Sequence, residues 1–422
     1  MELETKELNW AGNLEYRASE LLYPTSIEQL QEQVRAASKV RVLGSRHSFN
    51  GIADTSETMI SLARMPQVID IDARAMSARI SGGITYGALA DALHAAGFAL
   101  HNLASLPHIS VAGAVSTGTH GSGEAHGNLA TAVSAVELVL ADGSQLSVNQ
   151  NDPEFNGYVV SLGALGVITH LTLDIVPSFD VQQTVYEQLS WDKVLNNFDD
   201  VQASAYSVSL FTDWSGELVG QTWLKRRVGD GLVDDIDQGK FGGLAATAPM
   251  HPLPGADGTI CSEQLGVAGP WSDRLSHFRM DFMPSAGDEL QTEYLVPREY
   301  AVQAITAMRQ LSSVITPLLL VAEVRTIAAD QLWLSGNYGR DGIALHFTWK
   351  PRQQAVEAIL PQVESALAPF AARPHWGKLF TAGATELEKL YPKFDDFIEL
   401  VQRLDPAGKF RNEFLESKVF GV

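Results

Sequence analysis

Residues 40–50 read Val-Arg-Val-Leu-Gly-Ser-Arg-His-Ser-Phe-Asn. A β-rich run at 40–43 is cut off by Gly44 and Ser45, and the chain then presents His47. Glycine permits a sharp exit from a strand and lets backbone N–H groups come close to an anion. The turn thus has the chemistry to hold a pyrophosphate, with the His47 imidazole projecting into the same place. A plain strand-to-loop corner with a surface histidine has the same local sequence. Two further glycine clusters, each beside a strand, favour the ligand. The stretch 103–123, LASLPHISVAGAVSTGTHGSG, is small in side chain and nearly free of charge. Its backbone is able to approach a large flat ligand, and Ile109, Val111 and Val115 argue for an ordered loop over a linker. Ser161-Leu162-Gly163-Ala164-Leu165-Gly166 then precedes a strand in which Leu171, Leu173 and Ile175 alternate with Thr172 and Asp174. Three such loops can line one extended cofactor.

Composition narrows the partners. The 422 residues suffice for two or three domains, and 45% hydrophobic with 19% charged residues is enough to bury a sizeable core. A formal charge of −20 disfavours nucleic acid and anionic membranes and favours a neutral small molecule. Cys261 is the one cysteine, so no intrachain disulfide forms. The charged start (Met-Glu-Leu-Glu-Thr-Lys-Glu) has no apolar stretch for a signal peptide, and no run of about 18 apolar residues spans a bilayer, so a cytoplasmic protein is expected. His101, His108, His120 and His126 lie close in sequence, yet no Cys or acid spacing matches a zinc or iron site, and no metal is expected. Neither G-x-S-x-G nor G-x-x-x-x-G-K-[ST] occurs, and the glycines do not fit G-x-G-x-x-G opening a helix.

In order, Thr25 and Glu28 have capping-box spacing ahead of a helix at 26–38. Strands follow at 59–62, 68–72 and 78–81, then a helix at 86–96 with Gly97 as its cap. Strands at 133–140 and 145–148 flank the Asp142-Gly143 turn. Beyond 180 the chain reads as longer strands at 206–211 and 218–224, and as an aperiodic surface excursion at 226–270. It continues with a strand at 290–296, a helix from Pro297 to about 311, strands at 318–327 and 343–350, and a helix at 354–369. The class is α+β.

Two late strands carry polar side chains at alternate positions. Glu323 and Arg325 share a face, as do His346 and Thr348, in otherwise apolar runs. Neighbouring strands then bring an acid, a guanidinium, an imidazole and a hydroxyl onto one patch, with Lys378 in a turn able to join. Glu accepts from hydroxyls, Arg donates, and His takes a proton near neutral pH, a set suited to a hydroxylated substrate. A solvated sheet face with a cross-strand ion pair has the same pattern.

These residues sit among longer motifs: Asn9-Trp10-Ala11-Gly12-Asn13, His47-Ser48-Phe49-Asn50, NLASLPHISVAG at 102–113, TGTHGSG at 117–123, SLGALGV at 161–167, AYSVSLFTDW at 205–214, FAARPHWGK at 370–378 and DPAGKF at 405–410. Together they resemble the alditol oxidases, vanillyl-alcohol-oxidase-like flavoproteins with covalent FAD, almost end to end. The resemblance implies an FAD-binding domain at 1–180, a substrate domain of sheet plus helices at 181–382, and a C-terminal segment, 383–422, returning to the first. It implies FAD held by Val42, Leu43, Gly44, Ser45, Arg46, His47, Ser48, Ser105, Ser110, Gly113, Thr117, Gly118, Thr119, His120, Ile168 and His375, and bonded covalently through the His47 ring. Ser105, Glu323, Arg325 and Thr348 match substrate-binding positions, and His346, Arg325 and Lys378 match catalytic ones. The implied reaction takes a linear polyol such as xylitol or sorbitol to the aldose; the alternatives are an aldonolactone oxidoreductase of the same superfamily and a catalytically weak polyol-binding flavoprotein. His346 serves as base, Arg325 and Lys378 stabilise the alkoxide, and dioxygen reoxidises the flavin to give hydrogen peroxide. The expected protein is a monomer. One departure stands out: the family loop carries Gly before the flavin-linked His, and here it is Arg46. If the position demands φ > 0, arginine is strained there, unless its guanidinium pairs with a phosphate in compensation.

Overall fold

The computed structural model describes residues 7–230, 242–282 and 289–421. In the N-terminal half, β1 (Glu20–Leu22), β2 (Val40–Val42) and β3 (Thr58–Ile60) form a parallel sheet in the order β1-β3-β2. Helix α1 (Ile27–Ala36) buries Leu30 and Val34 against β2. Its cap is one residue later than expected: Ser26 accepts from the Gln29 N–H, while the Thr25 N–H donates to the Gln29 side chain at 2.8 Å. Five longer strands, β4 (Ile69–Asp72), β5 (Ser77–Ser81), β6 (Val133–Val139), β7 (Gln145–Asn149) and β8 (Val167–Asp174), form an antiparallel sheet in the order β4-β5-β8-β6-β7. Its apolar face, with Ile80, Val136, Leu171 and Leu173, shares one core with Leu89 and Leu93 of α2 (Tyr86–Ala95). The loop expected across 103–123 contains a short helix, α3 (Val111–Ser116), whose Val111 and Val115 are buried.

The second half is built on β9 (Asp180–Glu187), β10 (Ser207–Thr212), β11 (Gln221–Arg227), β12 (Leu290–Pro297), β13 (Leu319–Ile327) and β14 (Gly342–Trp349). They pair antiparallel in the order β9-β11-β10-β13-β14-β12, with Leu244–Ala245 and Arg373–Pro374 at the two edges. Strand alternation sorts β13 and β14 cleanly. Ala322, Val324, Leu345 and Phe347 join the core under α4 (Ala301–Gln310) and α5 (Gln353–Leu367). Glu323, Arg325, His346 and Thr348 therefore point to the opposite face, and they too are buried. That excludes a solvated sheet face.

The cover on that face comes from chain expected to be a surface excursion. Residues 231–241 of that stretch lie outside the described residues. In its remainder Cys261, Ser262 and Gln264 are buried, and Cys261 packs with Val185, Phe211 and Trp223. The segment lacks periodicity because it lies over the sheet as irregular chain, with neither a helical nor a strand face to repeat. Strand β11 starts three residues later than expected. It carries Lys225 inward, where the ammonium donates to the carbonyls of Leu275 and Ser276 at 2.6 and 2.7 Å.

Helix α6 (Phe394–Leu404), which no expectation anticipated, buries Phe394, Phe397, Leu400 and Val401 in the core of the N-terminal half. The chain after it runs alongside β2, with the Val40 N–H donating to the Lys409 carbonyl at 2.9 Å. Arg41 ties this arrangement together. Its buried guanidinium donates to the carbonyls of Phe410, Gly163, Leu162 and Ile52, drawn from three separate segments. Replacing it with Met strands those acceptors, so Arg41→Met is expected to lose about 3 kcal/mol of stability. Denaturant unfolding followed by tryptophan fluorescence measures this, and an unshifted midpoint would show that the guanidinium is not the tie.

Candidate functional site

A cavity of about 680 Å³ opens between the N-terminal loops and the polar face of the large sheet. That volume is in the range of small-molecule and cofactor sites. The loop after β2 forms one wall and is held from several sides. Ser45 Oγ accepts from the Ser110 N–H at 2.9 Å, and a Cβ added at Gly44 or at Gly113 would stand 2.7 Å from Ser110 Oγ. The Trp10 N–H donates to the Arg46 carbonyl, Asn9 Nδ2 to Ser48 O and Asn13 Nδ2 to Phe49 O. On the other side Phe49 N–H reaches Gly377 O at 2.8 Å, and Asn50 Nδ2 reaches the carbonyls of Trp376 and Lys378. Arg46 adopts φ 65°, the left-handed region that favours glycine, and its guanidinium pairs with Glu7 at 2.8 Å. Trp10 stacks on His47 with ring centres 5.3 Å apart. Among the described residues His47 Nδ1 is buried without a partner, and burial pushes the imidazole down to about 4, leaving it neutral at pH 7.

On the facing wall, strand register sets Glu293 of β12 opposite His346 of β14, and His346 opposite Glu323 of β13. Glu293 is the hub. It accepts from Arg325 Nη2 and from Lys378 Nζ, each at 2.7 Å, and lies 3.4 Å from His120 Nε2. Burial would raise its pKa, but Lys378, His120 and Arg325 more than offset that and hold the carboxyl well below its ordinary range. Glu323 is likewise held low: burial is outweighed by Arg325 and His277, the latter at 2.8 Å. Lys378 Nζ also lies 2.8 Å from His346 Nδ1, and His346 Nε2 lies 3.1 Å from Thr348 Oγ1. Burial, then the Lys378 charge, keeps His346 far below the usual histidine range. A neutral ring whose Nδ1 accepts from an ammonium carries its hydrogen on Nε2 and donates it to Thr348. Burial pulls the Lys378 ammonium down while Glu293 opposes the shift, and both carboxylates raise Arg325 against the burial that lowers it. Two carboxylates thus face two cations, and His346 adds no charge.

The expected cofactor residues 42–48, Ser105, Ser110, Gly113, Thr117, Thr119, His120, Ile168 and His375 line this one cavity, together with Glu323, Arg325, His346, Thr348 and Lys378. Ser105 bridges the walls, accepting from Arg325 Nη1 at 3.3 Å. His375, pushed down to about 3 by burial and the Lys378 charge, sits beside Thr119 and His120. Gly118 lies outside the lining, in a left-handed turn at φ 67°. Glu293 and His277 were not anticipated. The alternation argument applied to 290–296 places Glu293 on one face with Gln291, but among polar neighbours it does not stand out as Glu323 does. No pattern marks His277, because its neighbours are irregular.

The lining fits FAD on three counts. Glycines let the backbone segments around the cavity approach one another closely: a Cβ at Gly82 would meet Ile168 O at 2.2 Å, and one at Gly44 or Gly113 would stand 2.7 Å from Ser110 Oγ. A buried imidazole nitrogen of His47 lacks a partner among the described residues, and the walls carry donors from both halves. Comparisons agree. A family model described as an FAD binding domain matches residues 18–149, and one described as D-arabinono-1,4-lactone oxidase matches residues 283–418. An alditol oxidase of Streptomyces sp. is 46% identical over 422 residues, covering 99% of this chain and 100% of the relative. L-gulonolactone oxidase of Mus musculus is 29% identical over 98% of this chain and 97% of its own length. A crystal structure of cholesterol oxidase from B. sterolicum superposes with a TM-score of 0.78 at 13% identity, covering 97% of this chain and 96% of that one, and so shares the fold. The cavity suited to FAD and the full-length match together place this chain in the alditol oxidase family of FAD-dependent oxidoreductases.

Proposed function

We propose that the protein oxidises the terminal CH–OH of linear alditols such as xylitol and sorbitol to the aldose, with dioxygen reduced to hydrogen peroxide. One observation carries this: the charge-balanced row of Glu293, Glu323, Arg325, His346, Thr348 and Lys378 on the wall of the FAD cavity, buried except for the half-buried Lys378. Such a row offers donors and acceptors to several hydroxyls while presenting no net charge to attract an ionic ligand. The relative named alditol oxidase supports the polyol. The match to a D-arabinono-1,4-lactone oxidase model makes a sugar lactone the second reading, and turnover of xylitol against L-gulono-1,4-lactone separates them. Residues 1–180 and the C-terminal segment would grip the cofactor, and residues 181–382 would present the substrate.

FAD, when bound, supplies the two-electron acceptor and its reoxidation by dioxygen. Orientation and proton handling fall to the chain. Glu323 accepts from a substrate hydroxyl. Thr348 Oγ1 already accepts from His346, so its own hydrogen is free to donate. Arg325 and Lys378 lower the cost of charge developing on the reacting oxygen. His346 acts as base at one remove: its Nδ1 is occupied by Lys378, so Lys378 passes a proton to it and takes the hydroxyl proton in exchange. Glu293, 3.6 Å from Nδ1, offsets the charge that arrives there. His47 is the residue to which FAD would be covalently attached.

Anaerobic addition of xylitol should bleach the flavin spectrum, and an unchanged spectrum would overturn the polyol assignment. Arg325→Ala is expected to keep its FAD and lose about 10²–10³ in kcat with xylitol. Wild-type protein should stay yellow after acid precipitation and His47→Ala should not, whereas equal colour in both pellets would move the attachment elsewhere. Glu293→Gln takes from Lys378 its carboxylate partner and leaves Arg325 with Glu323 alone, and should cost about 3 kcal/mol at neutral pH. Because its folded pKa is depressed, this contribution is fully present above the unfolded carboxylate value of about 4.3 and is lost as pH falls through the folded one. Melting curves of the two proteins should therefore differ by a constant amount from pH 5 to 8 and converge only in stronger acid.

A further inference from the structure

His277 comes from irregular chain and belongs to none of the strands that carry the polar row. Its Nε2 nevertheless lies 2.8 Å from Glu323 Oε1, with both residues buried. An ionised carboxylate only accepts, so Nε2 carries the hydrogen. The ring has little freedom. Phe211 and Trp223 meet it edge-on with centres 5.5 and 5.4 Å away, and its backbone N–H donates to Ser105 O at 3.1 Å. The preceding residues are fixed by the buried Lys225 ammonium on the Leu275 and Ser276 carbonyls, and by Ser276 Oγ donating to Ala104 O at 2.9 Å. What this rigid imidazole determines is the orientation of Glu323. One oxygen is taken by His277, and the other lies 3.5 Å from Arg325 Nε at the cavity wall.

We infer that His277 is a positioning residue that sets polyol specificity, by pinning Glu323 Oε1 so that Oε2 is presented to one hydroxyl of the bound chain. The inference rests on the assignment of Glu323 as a substrate ligand. Without the pin the carboxylate rotates among its own rotamers, and a hydroxyl that depended on it loses a fixed acceptor. The effect belongs to binding of that hydroxyl rather than to the bond that breaks. It therefore falls on KM more than on kcat, and only for substrates that carry inner hydroxyls.

The test compares His277→Met, which keeps bulk without a donor, with His277→Gln, whose amide nitrogen can stand in for Nε2. Flavin content and steady-state kinetics are measured with xylitol and with butane-1,4-diol, which lacks inner hydroxyls. His277→Met should raise KM for xylitol about 10-fold with kcat within about threefold, leave kcat/KM for butane-1,4-diol unchanged, and be largely rescued in His277→Gln. If His277→Met does not accumulate as folded holoprotein, His277→Asn, too short to reach Glu323, takes its place with the same expectation. Glu323→Gln separates the two ways of failing. An unchanged xylitol KM in Glu323→Gln removes Glu323 from the substrate and overturns the site assignment itself. A raised KM in Glu323→Gln together with a wild-type KM in His277→Met leaves the site standing and overturns the role of His277. Equal losses on both substrates would mean that the histidine is merely structural.

Discussion

Glu293 is a carboxylate buried on the wall of a cavity, and burial alone would make it protonate. It stays ionised because a guanidinium and an ammonium each donate to it at 2.7 Å. It is the carboxylate that the two cations share. The two cations come from different parts of the chain, Arg325 from β13 and Lys378 from the turn after Arg373–Pro374. The backbone reinforces this convergence, since the His375 N–H donates to the Glu293 carbonyl at 2.9 Å. One acid thus fixes the place of both groups that would stabilise a developing alkoxide, and through Lys378 it fixes which nitrogen of His346 carries a proton.

How much of this was legible in the sequence follows from which features repeat. Strands β13 and β14 alternate over 322–325 and 345–348, so Glu323, Arg325, His346 and Thr348 fall on one patch from the sequence alone. The glycine loops could be recognised because glycine has a backbone reason to be there. Glu293 obeys the same rule as Glu323 but sits among Gln291, Thr292 and Tyr294, which blur the apolar background against which a lone acid stands out. His277 and Lys225 were not legible at all. Their partners are a side chain and backbone carbonyls 46 to 51 residues away, contacts that leave no period in the local sequence. The stretch 242–270, part of the expected excursion, looked like surface for the same reason: burial there comes from lying across a sheet, which needs no repeat of its own.

Arg46 shows how the two halves constrain each other. A left-handed arginine costs roughly 1–2 kcal/mol relative to glycine, and nothing in its own side chain requires that geometry. The surroundings require it. The Arg46 carbonyl is claimed by the Trp10 N–H, those of Ser48 and Phe49 by Asn9 and Asn13, and the chain beyond by Gly377, Trp376 and Lys378. With neighbours on both sides fixed, the φ at position 46 is dictated by where His47 must go. Glu7 then neutralises a guanidinium left at the cavity rim, in the place where pairing with a phosphate had been one expectation. The turn that accepts from Asn50 also delivers Lys378 to Glu293. Relaxing the strained residue would therefore move not only the histidine beside it but also the ammonium across the cavity, so the histidine loop and the charge-balanced wall hold their positions as a single mechanical unit.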